Sequence, residues 1–592
     1  MKSRVRVTRA CDRCKKRKIR CGGIQPCETC SEGNHPCAYT APYTRGRQPA
    51  RIRKAQEINR SVSSPSVADD PLDDLSPSRP TPAELAITDL DGHFLGPASE
   101  AAFLLRVQRA LTPDHLHLHQ SLSHVSLAFS LSDEPLSLRD APLGNVVPQE
   151  EEAAQLVQTF YDQAMPIGHF IDRATVLSWV ADLRDPPIDY YSQSSTQASR
   201  NALMHSMFAV AYQHRTCTLD SVVAGKSQRH FAAAELYLNQ RQLPLNLTLI
   251  QARLCQCIWL LRESRVSHCG DLLGVVARQA LAIGLHRTAA SLRLVSDIDA
   301  CRWTFWCLYS LDVYVSIALG RPRALNDCDI MQEFPGVGDG LAGGQWPSSS
   351  PPGGGVMQAA IVQATLAYFR LSRIIGKVLQ DLYSSEPPPI TRLISPAKHH
   401  LECLQDWQDE FCSSLRTQEC EPSGQSPSAP GSPPPLMRDF LDLLAAHAAI
   451  LITRLFLLES LTAATGARGR SSRGRELVII GEAQHAAVAT RVAQCKAAAM
   501  RIAEILSDVD HAQRLVRLFW FTPFVALSAI IVLYSSPFTT KYSGPAQLDN
   551  NSHDNSCFSA ATRCQGVFFR IVGDDSLAAK NALLLEELRS QV

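Results

Sequence analysis

Six cysteines crowd the start of a 592-residue chain: Cys11, Cys14, Cys21, Cys27, Cys30 and Cys37. Their spacing is C-x2-C-x6-C-x5-C-x2-C-x6-C, and each of the first three maps onto one of the last three by a shift of 16. Two copies of one short unit imply a pseudo-twofold site. Cysteines so spaced suit zinc, and a structural zinc ion takes four tetrahedral donors. Six sulfurs satisfy two zinc ions when two of the thiolates are shared. Two Zn2+ against six thiolates then leave a cluster with a formal charge of about −2, and nearby cations favour the thiolate form. Lys15, Lys16, Arg17, Lys18 and Arg20 supply those cations. A unit this short has almost no apolar core. Metal binding must therefore provide most of its folding free energy, on the order of 10 kcal/mol or more.

The two halves of the repeat differ in charge. After the first CxxC comes KKRKIR; after the second comes SEGNHP. One face of the unit is built to meet phosphate and the other is not. Lys and Arg neutralise backbone phosphates and release counterions, which gives salt-dependent affinity. A short helix ending near Lys18 would bring that side chain to base edges in the major groove. The whole chain is nearly neutral, with 58 Lys/Arg against 57 Asp/Glu. Residues 1–60, however, hold 16 basic residues against 4 acidic ones, leaving 42 against 53 in the rest. A basic head on a mildly acidic body excludes a uniformly cationic coat and indicates one localised contact with a polyanion.

Residues 10–21 (ACDRCKKRKIRC) with Pro26, Cys27 and Cys30 closely resemble the zinc binuclear cluster (Zn2Cys6) of fungal transcription factors, over residues 10–40. The resemblance implies that Cys11 and Cys27 are the bridging ligands of two Zn2+. It also implies that Lys18 reads CG-rich triplets, typically CGG, in double-stranded DNA. Lys15, Lys16, Arg17 and Arg20 would mainly hold phosphate, with Arg17 also near the bases. A metallothionein-like metal store needs neither the basic asymmetry nor a large attached body. A redox CxxC pair would sit on a βαβ pattern, which is absent. His35, two residues before Cys37, is read as a loop residue, because six thiolates already saturate two zincs.

Residues 44–83 read as a disordered linker broken by Gly46 and six prolines from Pro49 to Pro82. Asp69, Asp70, Asp73 and Asp74 around Leu72 and Leu75 are read as solvated linker rather than an activation segment. From about residue 84 the apolar pattern is helical. One helix starts near Ala300, with Trp303, Trp306, Ser310, Val313 and Ile317 on one face, and stops at Gly320 before Pro322. Another runs from about Asp271 and closes at Gly284. Breaks near 336–355, 421–436 and 464–475 read as disordered surface loops, and 535–556 as polar and irregular. Phe519–Tyr534 is the only membrane candidate and, at 16 residues, reads as a buried core helix. The other thirteen cysteines read as reduced small hydrophobes. The first residues lack an apolar signal segment.

A second resemblance covers 243–335, to the fungal-specific transcription factor (middle homology) domain. It rests on Gly274–Ala280, Ile283-Gly-Leu-His-Arg287, Phe305-Trp306, Tyr309, Leu311-Asp312, Leu319-Gly-Arg-Pro322 and Asp329-Ile330. Val313 and Val276 depart from the usual pattern. The resemblance implies an all-α regulatory module over roughly 145–540 that restrains or relays activation and senses a metabolite. His286-Arg287 and Gly320-Arg321-Pro322 read as helix-end chemistry rather than an anion site. Arg278 is a packing candidate for Asp312 or Asp271.

Enzyme motifs do not hold up. Gly338-x-Gly340-x-x-Gly343 has no preceding strand, and His115, His117 and His119 lack a strong further donor. His399-His400 reads as a solvated helix face. Only Ile52 and Ile58 offer heptad positions after the cluster, too few for a coiled coil. The expected molecule thus has a small Zn2Cys6 domain (8–43), a linker (44–83), a large all-α regulatory domain (145–540) and a C-terminal segment with a terminal helix (541–592). It is a nuclear RNA polymerase II regulator, not an enzyme, probing CGG-type sites as a monomer or as a dimer through the helical body. Its further expected partners are transcription machinery or co-regulators and a small-molecule effector, with no membrane. The competing reading is a non-DNA interaction regulator that uses the zinc module structurally.

Overall fold

The computed structural model describes residues 10–17, 19, 21, 26–33, 35–38, 87–88, 93–111, 147–165, 167–183, 195–215, 221–239, 243–288, 298–336, 354–383, 388–416, 435–464, 482–512, 520–540, 550–572, 585–586 and 588–590. The chain separates into two units, Met1–Ala83 and Glu84–Val592. The first holds two short helices, α1 (Asp12–Arg17) and α2 (Glu28–Glu32). The expected linker, the Asp69–Asp74 segment, His115–His119 and the Gly338–Gly343 stretch lie outside the described residues, as do most of the three expected loops.

Among its described residues the second unit is helical, apart from a two-residue antiparallel pair, β1 (Ile87–Thr88) with β2 (Phe94–Leu95), registered Ile87 to Leu95. That pair is too short to leave a period-two pattern in the sequence. The helices are α3 (Glu100–Leu111), α4 (Glu150–Thr159), α5 (Arg173–Trp179), α6 (Ser195–Arg215), α7 (Ser221–Leu238), α8 (Leu247–Arg262), α9 (Val266–Ala282) and α10 (Ile298–Leu319). They continue with α11 (Gly354–Leu382), α12 (Ile390–Arg416), α13 (Pro435–Ala464), α14 (Glu482–His511), α15 (Thr522–Thr540) and α16 (Asn550–Val572). Successive helices pack as neighbours: α6 on α7 and α8, α8 on α9, α9 on α10, α10 on α11, then α13 on α14 and α15 on α16. Helix α3, ahead of residue 145, packs on α13 and α15, and α16, beyond residue 540, packs on α14 and α15. Residues 535–540 and 550–556 of the stretch expected to be irregular are helical, in α15 and α16.

Helix α10 carries the core. Every residue from Thr304 to Leu319 is buried, so it is enclosed all round rather than amphipathic. It ends where the sequence indicated, and the structure supplies the reason. Gly320 has φ +67, and a Cβ on it would come 2.3 Å from the Gly96 carbonyl oxygen. The Gly96 N–H donates to Leu319 O at 3.3 Å, so two backbones touch at this point. Only glycine satisfies both demands. Gly284, φ +81, ends α9 in the same left-handed conformation.

The loop after Gly320 is held by buried polar groups. The Asp312 carboxylate accepts the N–H groups of Ala324 and Leu325, both at 2.9 Å. Arg323 donates to the Tyr309 hydroxyl at 2.9 Å and to Asp327 at 2.6 Å, and Tyr309 donates to Asp327 at 2.7 Å. Arg278 is exposed, so Asp312 answers to backbone amides rather than to that guanidinium. Arg321 donates to Phe94 O at 3.2 Å, a strand carbonyl and not a helix end.

Burial raises the Asp312 carboxyl to about 6, against the pull of the two amides. A raised folded value means that the native state holds the proton over this range while the unfolded chain has released it. Asp312 therefore costs stability progressively as pH rises from about 4 to 6. In urea unfolding at pH 4.5 and pH 7, the wild type is expected to show this loss, on the order of 2 kcal/mol. Asp312→Asn should remove that part of the pH dependence; an unchanged profile would contradict it.

Among the described residues two helical stretches, not one, are long and apolar enough to cross a membrane: Met437–Ala464 and Thr522–Thr539. Both are mostly enclosed, 78% and 72% of their windows being buried inside the unit, which makes them core helices. Helix α13 is less conspicuous in the sequence because Arg438, Asp439, Asp442 and Arg454 interrupt its apolar run. His400 is also not on a solvated face. It is buried and bonds Asp381 at 2.9 Å, while only His399 is exposed.

Candidate metal centre and nucleic-acid interface

Each CxxC pair starts a short helix. Cys11 precedes α1, and Cys27 is the residue before α2, in extended conformation with ψ 151. The first turn then brings the second cysteine back beside the first, and the Cys14 N–H donates to Cys11 Sγ at 3.4 Å. The 16-residue repeat survives as a repeat of hydrogen bonds. The Cys11 N–H donates to Cys21 Sγ and the Cys27 N–H to Cys37 Sγ, both at 3.3 Å. The Lys15 N–H donates to Cys11 O and the Ser31 N–H to Cys27 O, both at 2.9 Å. The Ile19 N–H donates to Cys14 O at 3.1 Å, and the His35 N–H to Cys30 O at 2.9 Å. The Asp12 N–H donates to Ala38 O at 2.8 Å and closes the unit.

The sulfurs converge. Cys11 Sγ lies 3.9 Å from Cys27 Sγ and 3.7 Å from Cys30 Sγ; Cys14 Sγ lies 3.8 Å from Cys27 Sγ and 4.0 Å from Cys30 Sγ. All four lie within 4.8 Å of one another and are buried. Zinc–sulfur bonds of ~2.3 Å at the tetrahedral angle place two sulfurs about 3.8 Å apart, so this spacing fits zinc. Cys21 is buried and Cys37 half-buried, each tied to its half by the amide bond above. In the thiol form, desolvation and the Cys11, Cys27 and Cys30 thiols push the Cys14 thiol upward. Thiols crowded this way ionise against a divalent cation, which provides the missing countercharge.

The exposed residues of α1 are Lys15, Lys16 and Arg17, in its last turn. Their repeat equivalents Ser31, Glu32 and Gly33 are exposed too and carry no positive charge. Lys18 and Arg20, the other two expected DNA contacts, lie outside the described residues. His35 is exposed, as a loop residue should be. Two residues went unnoticed in the sequence. Arg13 reaches across the repeat to Cys30 Sγ at 3.9 Å, placing a cation beside a sulfur. Ile19 is 42% exposed between two cations. The repeat itself held the signal for both, since their equivalents are Thr29 and His35.

In the helical unit all described cysteines are free thiols, mostly buried, and burial raises Cys255, Cys307, Cys495 and Cys564 well out of the reactive range.

Residues 9–46 match the family model for the fungal Zn(2)-Cys(6) binuclear cluster domain, which takes two zinc ions. Residues 156–414 match that of the fungal specific transcription factor domain. Among curated proteins, the chain is 23% identical over 440 residues to the transcriptional activator protein acu-15 of Neurospora crassa, covering 64% of this chain and 45% of that protein. It is 21% identical over 421 residues to activator of stress genes 1 of Saccharomyces cerevisiae, covering 56% and 44%. The chain thus spans about half the length of the curated relatives it matches. No solved structure matches it.

Proposed function

Because this chain belongs to the zinc binuclear cluster transcription factors of fungi, we propose that it binds CGG-type sites in double-stranded DNA and activates RNA polymerase II transcription of a metabolic or secondary-metabolite gene set. It works in the nucleus, with transcription machinery or co-regulators as partners. Cys11, Cys14, Cys21, Cys27, Cys30 and Cys37 hold two zinc ions, with Cys11 and Cys27 shared. The 3.9 Å between the Cys11 and Cys27 sulfurs is compatible with that sharing, but Cys14 and Cys30 are crowded equally, so the choice of these two rests on the likeness to the zinc binuclear cluster. Zinc supplies no reaction here; it fixes the two half-repeats so that α1 is presented rigidly. Lys15, Lys16, Arg17 and Arg20 hold phosphates, and Lys18, directly after α1, reads base edges.

The observation that carries the reading is the asymmetry of a symmetric scaffold. Two equivalent helices flank one cluster, and only one is cationic. A purely structural zinc module has no use for that difference.

Lys18→Ala is expected to cost roughly 1–3 kcal/mol on CGG-containing DNA and much less on random DNA. Lys16→Ala should weaken both about equally and reduce the salt slope by about one. Fluorescence anisotropy on the two probes at several salt concentrations measures both. Equal losses for Lys18→Ala on the two probes would exclude base reading by Lys18 and favour an interaction module with no DNA specificity.

A further inference from the structure

A partly open pocket with about 90 Å³ of interior space lies in the helical unit where six separate stretches of chain meet. Met165, Gly168 and their neighbours, Ile258 on α8, Cys307, Leu311 and Tyr314 on α10, Tyr368 on α11, Phe440 and Leu444 on α13, and Trp520 with Phe521 before α15 form its wall. None of these described wall residues carries a charge. Aromatic rings dominate: Tyr314 stacks on Tyr368 at 5.7 Å and meets Phe521 edge-on at 4.9 Å. The polar atoms are few. The Cys307 thiol donates to Gly168 O at 3.1 Å, and the Gly168 N–H donates to Thr365 Oγ1 at 3.3 Å.

The segment that closes one side is irregular. Helix α4 runs into a π-helical turn, Phe160–Ala164, and Gly168 follows with φ +84. Single π turns recur at functional sites because they shift side chains out of helical register. Here the turn delivers Ala164 and Met165 to the cavity. Well-packed interiors leave few spaces larger than a water molecule, and a water needs polar partners that this wall barely offers. An apolar cavity of this size suits an apolar guest of on the order of one ring.

We propose that this cavity binds a small neutral aromatic molecule of one ring with at most one polar group, and that binding clamps Met165 and Ile167–Phe170 to α10, α11, α13 and the start of α15. The guest ties the front of the helical unit to its rear, since no one helix forms the wall. Calling the guest an effector rests on the transcription-factor reading above; the binding itself does not.

The test uses the full zinc-loaded chain with p-cresol as probe and benzoate, a charged molecule of similar size, as control. Trp520 lines the cavity, so tryptophan fluorescence and thermal melting both report occupancy. Saturable quenching by p-cresol with a rise in melting temperature is expected, and benzoate should bind at least about tenfold more weakly because its charge would be desolvated without a partner. Met165→Trp, at a half-buried wall position, should lower p-cresol affinity about tenfold or more. Leu444→Ala enlarges the space and should shift preference by about tenfold toward 2-naphthol. Absence of saturable p-cresol binding, equal binding of benzoate, or insensitivity to both substitutions overturns the proposal. DNA binding is measured on the same preparation. A chain that binds CGG probes but not p-cresol loses only the cavity proposal. One that binds p-cresol but not DNA keeps the site and loses its role as an effector of transcription.

Discussion

Cys27→Ser is expected to release both zinc ions and abolish sequence-specific DNA binding. Cys27 Sγ lies 3.9 Å from Cys11 Sγ and 3.8 Å from Cys14 Sγ, and the Cys27 N–H supports Cys37 Sγ. On the proposed assignment Cys27 serves both coordination spheres, so its loss would leave each ion with three donors. Cys37, at the half-buried edge, would serve one sphere on that assignment, and Cys37→Ser should leave about one zinc bound. Folding of this unit depends on its metal, on the order of 10 kcal/mol per structural site. Affinity for a CGG probe should therefore fall by at least about a thousandfold, the usual gap between specific and non-specific binding. Elemental analysis and anisotropy read the two effects. Far-UV circular dichroism should change little, because residues 84–592 form a separate unit. A Cys27→Ser chain that retains two zinc ions would exclude the shared-ligand assignment.

The second large effect lies at Arg454, fully buried on α13. Its guanidinium pairs with Glu100 of α3 at 3.0 Å and donates to Ala98 O at 2.5 Å and to the Tyr383 hydroxyl at 2.8 Å. It also lies over the Phe103 ring at 5.0 Å and the Tyr383 ring at 5.3 Å. His447 approaches the same Glu100 oxygen at 3.4 Å. Burial pushes the Glu100 carboxyl up, but Arg454 and His447 outweigh it and hold it below its ordinary value. Arg454→Met leaves that carboxylate buried without its partner, which should cost about 3–5 kcal/mol of unfolding free energy. Glu100→Gln with Arg454→Met together should recover most of the loss, because the remaining groups are neutral. The depressed carboxyl also sets a sign for acid. Its contribution is present above the unfolded value of 4.5 and is lost as pH falls below it. Chemical denaturation of the four proteins closes the cycle. Additive losses would contradict the coupling of this pair.

The cluster was legible in the sequence because ligand spacing is local. Two CxxC pairs and their third cysteines fall within one short stretch, and zinc geometry dictates their separations. Basic asymmetry was legible for the same reason. In the helical unit, Gly284 and Gly320 were readable as helix ends from local composition. The reason Gly320 must be glycine was not, because its backbone partner Gly96 comes from a distant part of the chain. The Glu100–Arg454 pair spans 354 positions, and each member alone looks like an ordinary surface charge. Helix α3 shares this history, since nothing near residue 100 announces that its partners are α13 and α15. His400 looked solvated beside His399, and only the fold brings Asp381 to it. The apolar cavity is the extreme case, since its wall comes from six stretches with no common motif.

Zinc content, measured together with DNA binding on the intact chain, tests the central claim most directly. Two equivalents per chain are expected, with loss of CGG binding on chelation and its return on adding zinc back. Fewer than two equivalents, or CGG recognition that persists after the metal has been stripped, would contradict it.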